Sequence, residues 1–207
     1  SFSNIAIGYK AGASFMGGGN GCIIIGHLAF AKSNYTSMRP DDVIAIGHRS
    51  CYSAGDSGDD VAIGKDTLYT TTAGQFRVAI GTEALYTASH VANNGSIAIG
   101  HQSLKAKNLA SGSSLDGATV AIGYNALTAM TAATGNTAIG HKAGAALVSG
   151  GSNTIVGFEA MSTSADNGNG ANTAIGYQAM KGVNVGSTGD SNVAIGNGAL
   201  YGGTSTG

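Results

Sequence analysis

Asn136-Thr137-Ala138-Ile139-Gly140-His141-Lys142-Ala143-Gly144 and Asn172-Thr173-Ala174-Ile175-Gly176-Tyr177-Gln178-Ala179-Met180 are two copies of one unit. Aligning the chain on small or polar, β-branched, Ala, Ile, Gly places the closing Gly at 8, 26, 47, 64, 81, 100, 123, 140, 157, 176 and 196. The spacings run from 17 to 23 residues, and the minimum of 17 recurs four times. A fixed period of this length marks a repeat architecture, in which each unit is completed by its neighbours.

The phases within the unit give its conformation. Three residues before the Gly stand Ile5, Ile23, Ile44, Val61, Val78, Ile97, Val120, Thr137, Thr154, Thr173 and Val193, all β-branched. One residue before it is Ile, or Val156 in one unit. Positions two apart share one face of a strand. Three residues after the Gly comes a small side chain (Ala11, Ala29, Ser50, Thr67, Ala84), and four after it a mostly apolar one (Phe30, Cys51, Leu68, Leu85, Leu104, Leu127, Met161, Met180, Leu200). Each unit reads as a short strand, a Gly bend, a second short strand or turn, and a polar loop. Units this short cannot hold a helix pair. The expected fold is all-β: a parallel β-solenoid of eleven coils of 17–23 residues, one repeat domain over residues 1–207. Stacked at about 4.8 Å per coil, it is a rod of roughly 50 Å.

The β-branched pair is expected to face inward with the Leu/Met phase. The residue between the pair is Ala in nine units and Ile24 or Ile155 in the others. Read as outward, Ala45, Ala62, Ala79, Ala98, Ala121, Ala138, Ala174 and Ala194 form a smooth apolar stripe where a solvated strand would carry polar side chains. A thin coil with such a stripe calls for partners, and identical stripes in a homo-oligomer are the expected ones.

Composition excludes several classes. Gly is 35 of 207 residues, far above average usage, while only 10% are charged. The longest apolar runs, such as Cys22–Ile25, are too short for membrane insertion of this segment. A net charge of −1 with no basic block beyond Lys105 and Lys107 argues against nucleic acid. The chain does not begin with Met and opens inside a repeat, which reads as a piece of a longer fibre.

The two quoted units resemble the repeats of trimeric autotransporter adhesin heads. They look still more like related repeats in bacteriophage tail-fibre proteins, and the resemblance covers essentially the whole chain. It implies a left-handed parallel β-roll, three chains side by side, and a role in surface attachment. Adhesin heads use shorter, more uniform units, so the 17–23-residue range points to the viral type. The expectation is a non-catalytic structural and attachment segment of a trimeric tail fibre on the virion, with a host cell-surface glycan or protein as partner. A bacterial adhesin head on the cell surface and a polysaccharide-degrading, tailspike-like enzyme are the rival readings.

Few residues suggest chemistry, and no cofactor is implied. His27, His48, His101 and His141 follow the Gly directly, in a phase otherwise holding Tyr, Phe, Lys, Thr or Asn. His27 and His48 are weak metal candidates if three chains bring them to a common axis; a mixed polar and aromatic surface row is the simpler reading. Cys22 and Cys51 occupy different phases, so no disulfide is implied, and Cys51 reads as a core hydrophobe. Asp56, Asp59 and Asp60 match no calcium-loop spacing and read as a solvated turn. Thr137, Thr154 and Thr173 raise ice binding, but read more simply as inward β-branched substitutes. The insertions Lys32–Asp42 and Lys105–Thr119 are the expected places for ligand contact, because solenoid insertions emerge as loops.

Overall fold

A computed structural model describes residues 3–13, 19–32, 41–88, 93–107, 118–163, 170–183 and 190–202. The strands, in chain order, are β1 (Ile5–Ile7), β2 (Ile23–Ile25), β3 (Ile44–Ile46), β4 (Ser53–Gly58), β5 (Val61–Ile63), β6 (Thr70–Gln75), β7 (Val78–Ile80), β8 (Ile97–Ile99), β9 (Val120–Ile122), β10 (Thr137–Ile139), β11 (Thr154–Val156), β12 (Thr173–Ile175) and β13 (Val193–Ile195). Eleven of them form one sheet in chain order, while β4 and β6 pair separately. Pairing is parallel and in register: Ala62 lies opposite Ala45 on one side and Ala79 on the other. The expected all-β parallel solenoid is present.

Its faces are the reverse of the expectation. Ala45, Ala62, Ala79, Ala98, Ala121, Ala138 and Ala174 are completely buried and Ala194 is nearly so. Ile24 and Ile155, in the same phase, are buried as well. The β-branched residues on either side are half-buried to exposed, Ile7 by 58% and Ile195 by 66%. The Ala row therefore lines the chain's own core and cannot supply an outward stripe. The cause is the width of the coil. The Leu/Met phase (Leu68, Leu85, Leu104, Leu127, Met161) and the small residues before it are also fully buried. Large side chains from that wall leave space for only a methyl group on the strand. Where the wall loses its side chain, at Gly144, the strand of the next coil carries Ile155, whose Cδ1 lies 3.0 Å from the point a Cβ on Gly144 would occupy. The sequence pairs Gly12 with Ile24 in the same way.

The closing Gly is required twice over. Its φ lies between +124° and +139° in all eleven units, a region that L side chains rarely adopt. From Gly8 to Gly176, a Cβ would also stand 2.2–2.9 Å from the carbonyl oxygen of the next coil's Gly. Beyond this bend the backbone turns left-handed two and four residues on, as at Asp66 (φ 56°) and Leu68 (φ 45°). Such geometry costs a non-Gly residue about 1–3 kcal/mol. Burial of a Leu offsets that with about 1.5–3 kcal/mol, and the turned N–H groups are bonded between coils, Asp66 to the His48 carbonyl (2.9 Å) and Leu68 to the Ala84 carbonyl (3.2 Å).

A mostly polar row runs inside the rod, four residues before the Gly, interrupted by Cys22 and Val43. The N–H of Asn153 donates to Asn136 Oδ1 (2.8 Å), that of Asn172 to Asn153 Oδ1 (2.9 Å), and that of Asn192 to Asn172 Oδ1 (2.9 Å). Asn4 Oδ1 accepts from the Cys22 N–H in the first coil (2.9 Å). In the middle of the rod the same role falls to Asp60, whose Oδ1 accepts the Arg77 N–H (2.9 Å). Asp60 is buried, so the expectation of a solvated turn is corrected there; its neighbour Asp59 is exposed. The Arg77 guanidinium meets both Asp60 oxygens, Nη2 to Oδ2 at 2.5 Å, and donates further to the carbonyls of Gly74 and Ala88. Burial pushes the Asp60 carboxyl above its ordinary value, more than Arg77 pulls it down. A single buried ion pair thus replaces two asparagines of the row.

Candidate functional site

The outward side of the eleven-stranded sheet is a continuous apolar surface. It presents the two β-branched rows, with Ile5, Ile7, Ile139, Val193 and Ile195 at least 40% exposed. Thr137, Thr154 and Thr173 lie on this side too, in register with one another, and not inward as expected. Three Thr among eight Ile or Val leave the row predominantly apolar.

The residues that follow the Gly form a second row, and their rings stack. Tyr9, His27 and His48 are spaced 5.3 and 5.2 Å. After Lys65 and Thr82 a five-ring run follows, His101, Tyr124, His141, Phe158 and Tyr177, at 4.8–5.4 Å. The one-coil spacing that fixes the strands also fixes the rings. His27 and His48 are brought together as expected, but with planes only 10° apart. Their in-plane nitrogen lone pairs therefore run parallel and do not converge on a common point within one chain. No group of three His, Cys, Asp or Glu side chains is placed to share a metal ion among the described residues.

A third row, five residues after the Gly, was not singled out from the sequence. Tyr52, Tyr69 and Tyr86 stack at 5.2 and 5.0 Å, with planes within 9°. Their recurrence every 17 residues was the available signal. Arg49 lies over the Tyr69 ring at 5.1 Å and is itself paired with Asp66 (2.7 Å). At the far end, Lys105 pairs with Glu83 (2.6 Å), and Gln102 donates to the same carboxylate (2.8 Å). These two partners hold the Glu83 carboxyl below its ordinary range.

Comparison with known proteins gave no matching family model, curated protein or solved structure. Cys22 and Cys51 are buried and not joined in a disulfide, and burial raises both thiols above their ordinary value, so neither is primed as a nucleophile. Lys107, taken with Lys105 as a weak basic pair, is fully buried and donates to Ser96 Oγ (3.0 Å), so it presents no charge at the surface. Residues 33–40 and 108–117 of the two insertions lie outside the described residues. No described helix is long and apolar enough to cross a membrane.

Proposed function

We propose that the chain is a structural and attachment segment of a trimeric tail fibre, without catalysis of its own. The observation that carries this reading is the outward apolar face of the sheet. Eleven strands at about 4.8 Å, each contributing two β-branched side chains, give a strip of roughly 500 Å². That is at the upper end of what a soluble monomer leaves uncovered. The strip repeats at the coil spacing and carries no formal charge. A copy of the same face has the same repeat and is the partner whose side chains interleave along the whole length. The residues that meet the partner chains are therefore Ile23, Ile25, Ile44, Ile46, Ile80, Ile99 and their equivalents, in place of the buried Ala row. A rod stiffened by such packing, with variable loops between coils, suits a fibre that holds a recognition surface away from its base.

The test is the mass in solution by light scattering at micromolar concentration. Three chains are expected, and Ile80→Glu with Ile99→Glu is expected to give a monomer with an unchanged β-sheet circular dichroism spectrum. A stable monomer of the native chain overturns the reading. The adjoining gene segments separate the two hosts: a coiled-coil stalk and membrane barrel would place the segment on a bacterium, a fibre-maturation chaperone on a virus.

A further inference from the structure

We infer that the end of the tyrosine row is a binding subsite for a single pyranose ring. The row Tyr52–Tyr69–Tyr86 is regular, and each inner ring face is covered by the next ring. After Tyr86 the phase passes to Lys105 and then Thr128, so among the described residues the stack of rings stops at Tyr86. A shallow cavity of about 520 Å³ lies at this point, lined by Tyr86, Thr87, Lys105, Ala106 and Thr131. Glu83 draws the Lys105 ammonium aside, leaving it 6.0 Å from the Tyr86 centroid, at the limit of a cation–π contact.

The Lys105 side chain takes the fourth place in the row, and the cavity opens beside it, between Tyr86 and Thr131, with polar groups in its lining. Glu83 accepts from Lys105 and Gln102, which leaves lone pairs of its carboxylate open. Lys105 has further N–H donors, and Thr131, whose hydroxyl reaches the Val148 carbonyl at 3.5 Å, is among the lining residues. An apolar floor with donors and acceptors around it matches a sugar ring, which has a C–H face and a fringe of hydroxyls. A purely aromatic ligand would match the floor and waste the rim. The site stands at the beginning of the Lys105–Thr119 insertion, where ligand contact was expected from the sequence.

The inference deepens the attachment reading but is built within one chain. Loss of the trimer would leave this subsite in place, and failure of the subsite would leave the trimer untouched. The experiment is saturation-transfer difference NMR on the full chain with methyl glycosides of galactose, glucose, mannose and N-acetylglucosamine, each at about 10 mM, matched to the millimolar affinity of a single-ring contact. Transfer to the ring C–H protons of at least one glycoside is expected. Tyr86→Ala should weaken it about tenfold, Tyr86→Phe should retain it, and Tyr52→Ala, at the other end of the row, should leave it unchanged. No transfer from any glycoside, or equal transfer in Tyr86→Ala, overturns the assignment. Transfer confined to the phenyl protons of a phenyl glycoside overturns the pyranose in favour of an aromatic ligand.

Discussion

Ile155 fills the space that Gly144 vacates: a Cβ on Gly144 would stand 3.0 Å from Ile155 Cδ1 and 2.7 Å from Leu127 Cδ2. The two residues belong to adjacent coils and to opposite walls of the core. Ile155→Ala restores the Ala of the other coils and leaves a hole, with an expected loss of about 2–5 kcal/mol. Gly144→Leu alone overfills the same place. The double variant reproduces the arrangement of neighbouring coils, where Leu127 tolerates φ 49° in the Gly144 phase. It should recover most of the loss. Urea unfolding of the four proteins reads the coupling, and strict additivity would show that the two side chains do not share the space.

The solenoid, its eleven coils and their register were legible in the sequence, because a recurring Gly and paired β-branched residues admit no helical reading. The direction of the strand was not. Alternation says that Ala62 and its flanking Val61 and Ile63 point to opposite sides, but it leaves open which side is the core. Hydrophobicity favoured the larger residues inside, whereas volume decided for Ala, since Leu68 already fills the facing wall. The signal that would have settled it lay in the exceptions. Ile24 follows Gly12 and Ile155 follows Gly144, one coil later in each case. The internal Asn row was obscured because Asp60, Arg77 and Ser96 occupy its phase in mid-chain. The end of the tyrosine row was hidden for a different reason, since Tyr86 and Thr131 come together only when coils stack.

Gly140→Ala should be among the most damaging single changes. Its φ is +139°, and the new methyl would stand 2.3 Å from the Gly157 carbonyl oxygen, a backbone atom that cannot swing away. A loss beyond about 4 kcal/mol is expected, because strain and collision act together. Gly196→Ala separates the two effects. Its φ is +130°, but the nearest atom to the new methyl is Ala199 Cβ at 3.9 Å, an ordinary contact. Only the backbone term of about 1–3 kcal/mol remains. Equal unfolding midpoints for the two variants would mean that φ alone demands the glycine.

The Asp60–Arg77 pair offers a test of what the buried polar row requires. Arg77→Met retains bulk but leaves the Asp60 carboxylate buried without its guanidinium, at an expected cost of about 3–5 kcal/mol. Adding Asp60→Asn removes the charge and keeps an oxygen that can accept the N–H of residue 77, as Asn136 accepts that of Asn153. The double variant should therefore be more stable than Arg77→Met alone by one to a few kcal/mol, roughly the range of coupled neighbours. Thermal unfolding followed by circular dichroism is sufficient. A double variant no better than the single one would assign the loss to Arg77's contacts with Gly74 and Ala88.

Lys107 should make the rod more stable in mild alkali. Its ammonium is fully buried with Ser96 Oγ as its hydrogen-bond acceptor, and desolvation lowers its pKa from 10.5 to about 8. Below pH 8 the lysine is charged in both folded and unfolded chains, and the folded chain carries the burial penalty. Between about 8 and 10.5 the folded chain releases the proton first, so the unfolded state binds more protons and stability rises with pH across that window. At 1.36 kcal/mol per unit, the full rise is about 3 kcal/mol. Lys107→Met removes the titrating group, so it should stabilise the chain near neutral pH and flatten the rise. Other groups titrate in the same range, which makes the difference between native and variant the decisive quantity. Urea midpoints measured from about pH 7 to about pH 10 should converge as pH increases. Parallel curves would show that Lys107 keeps its proton in the folded rod.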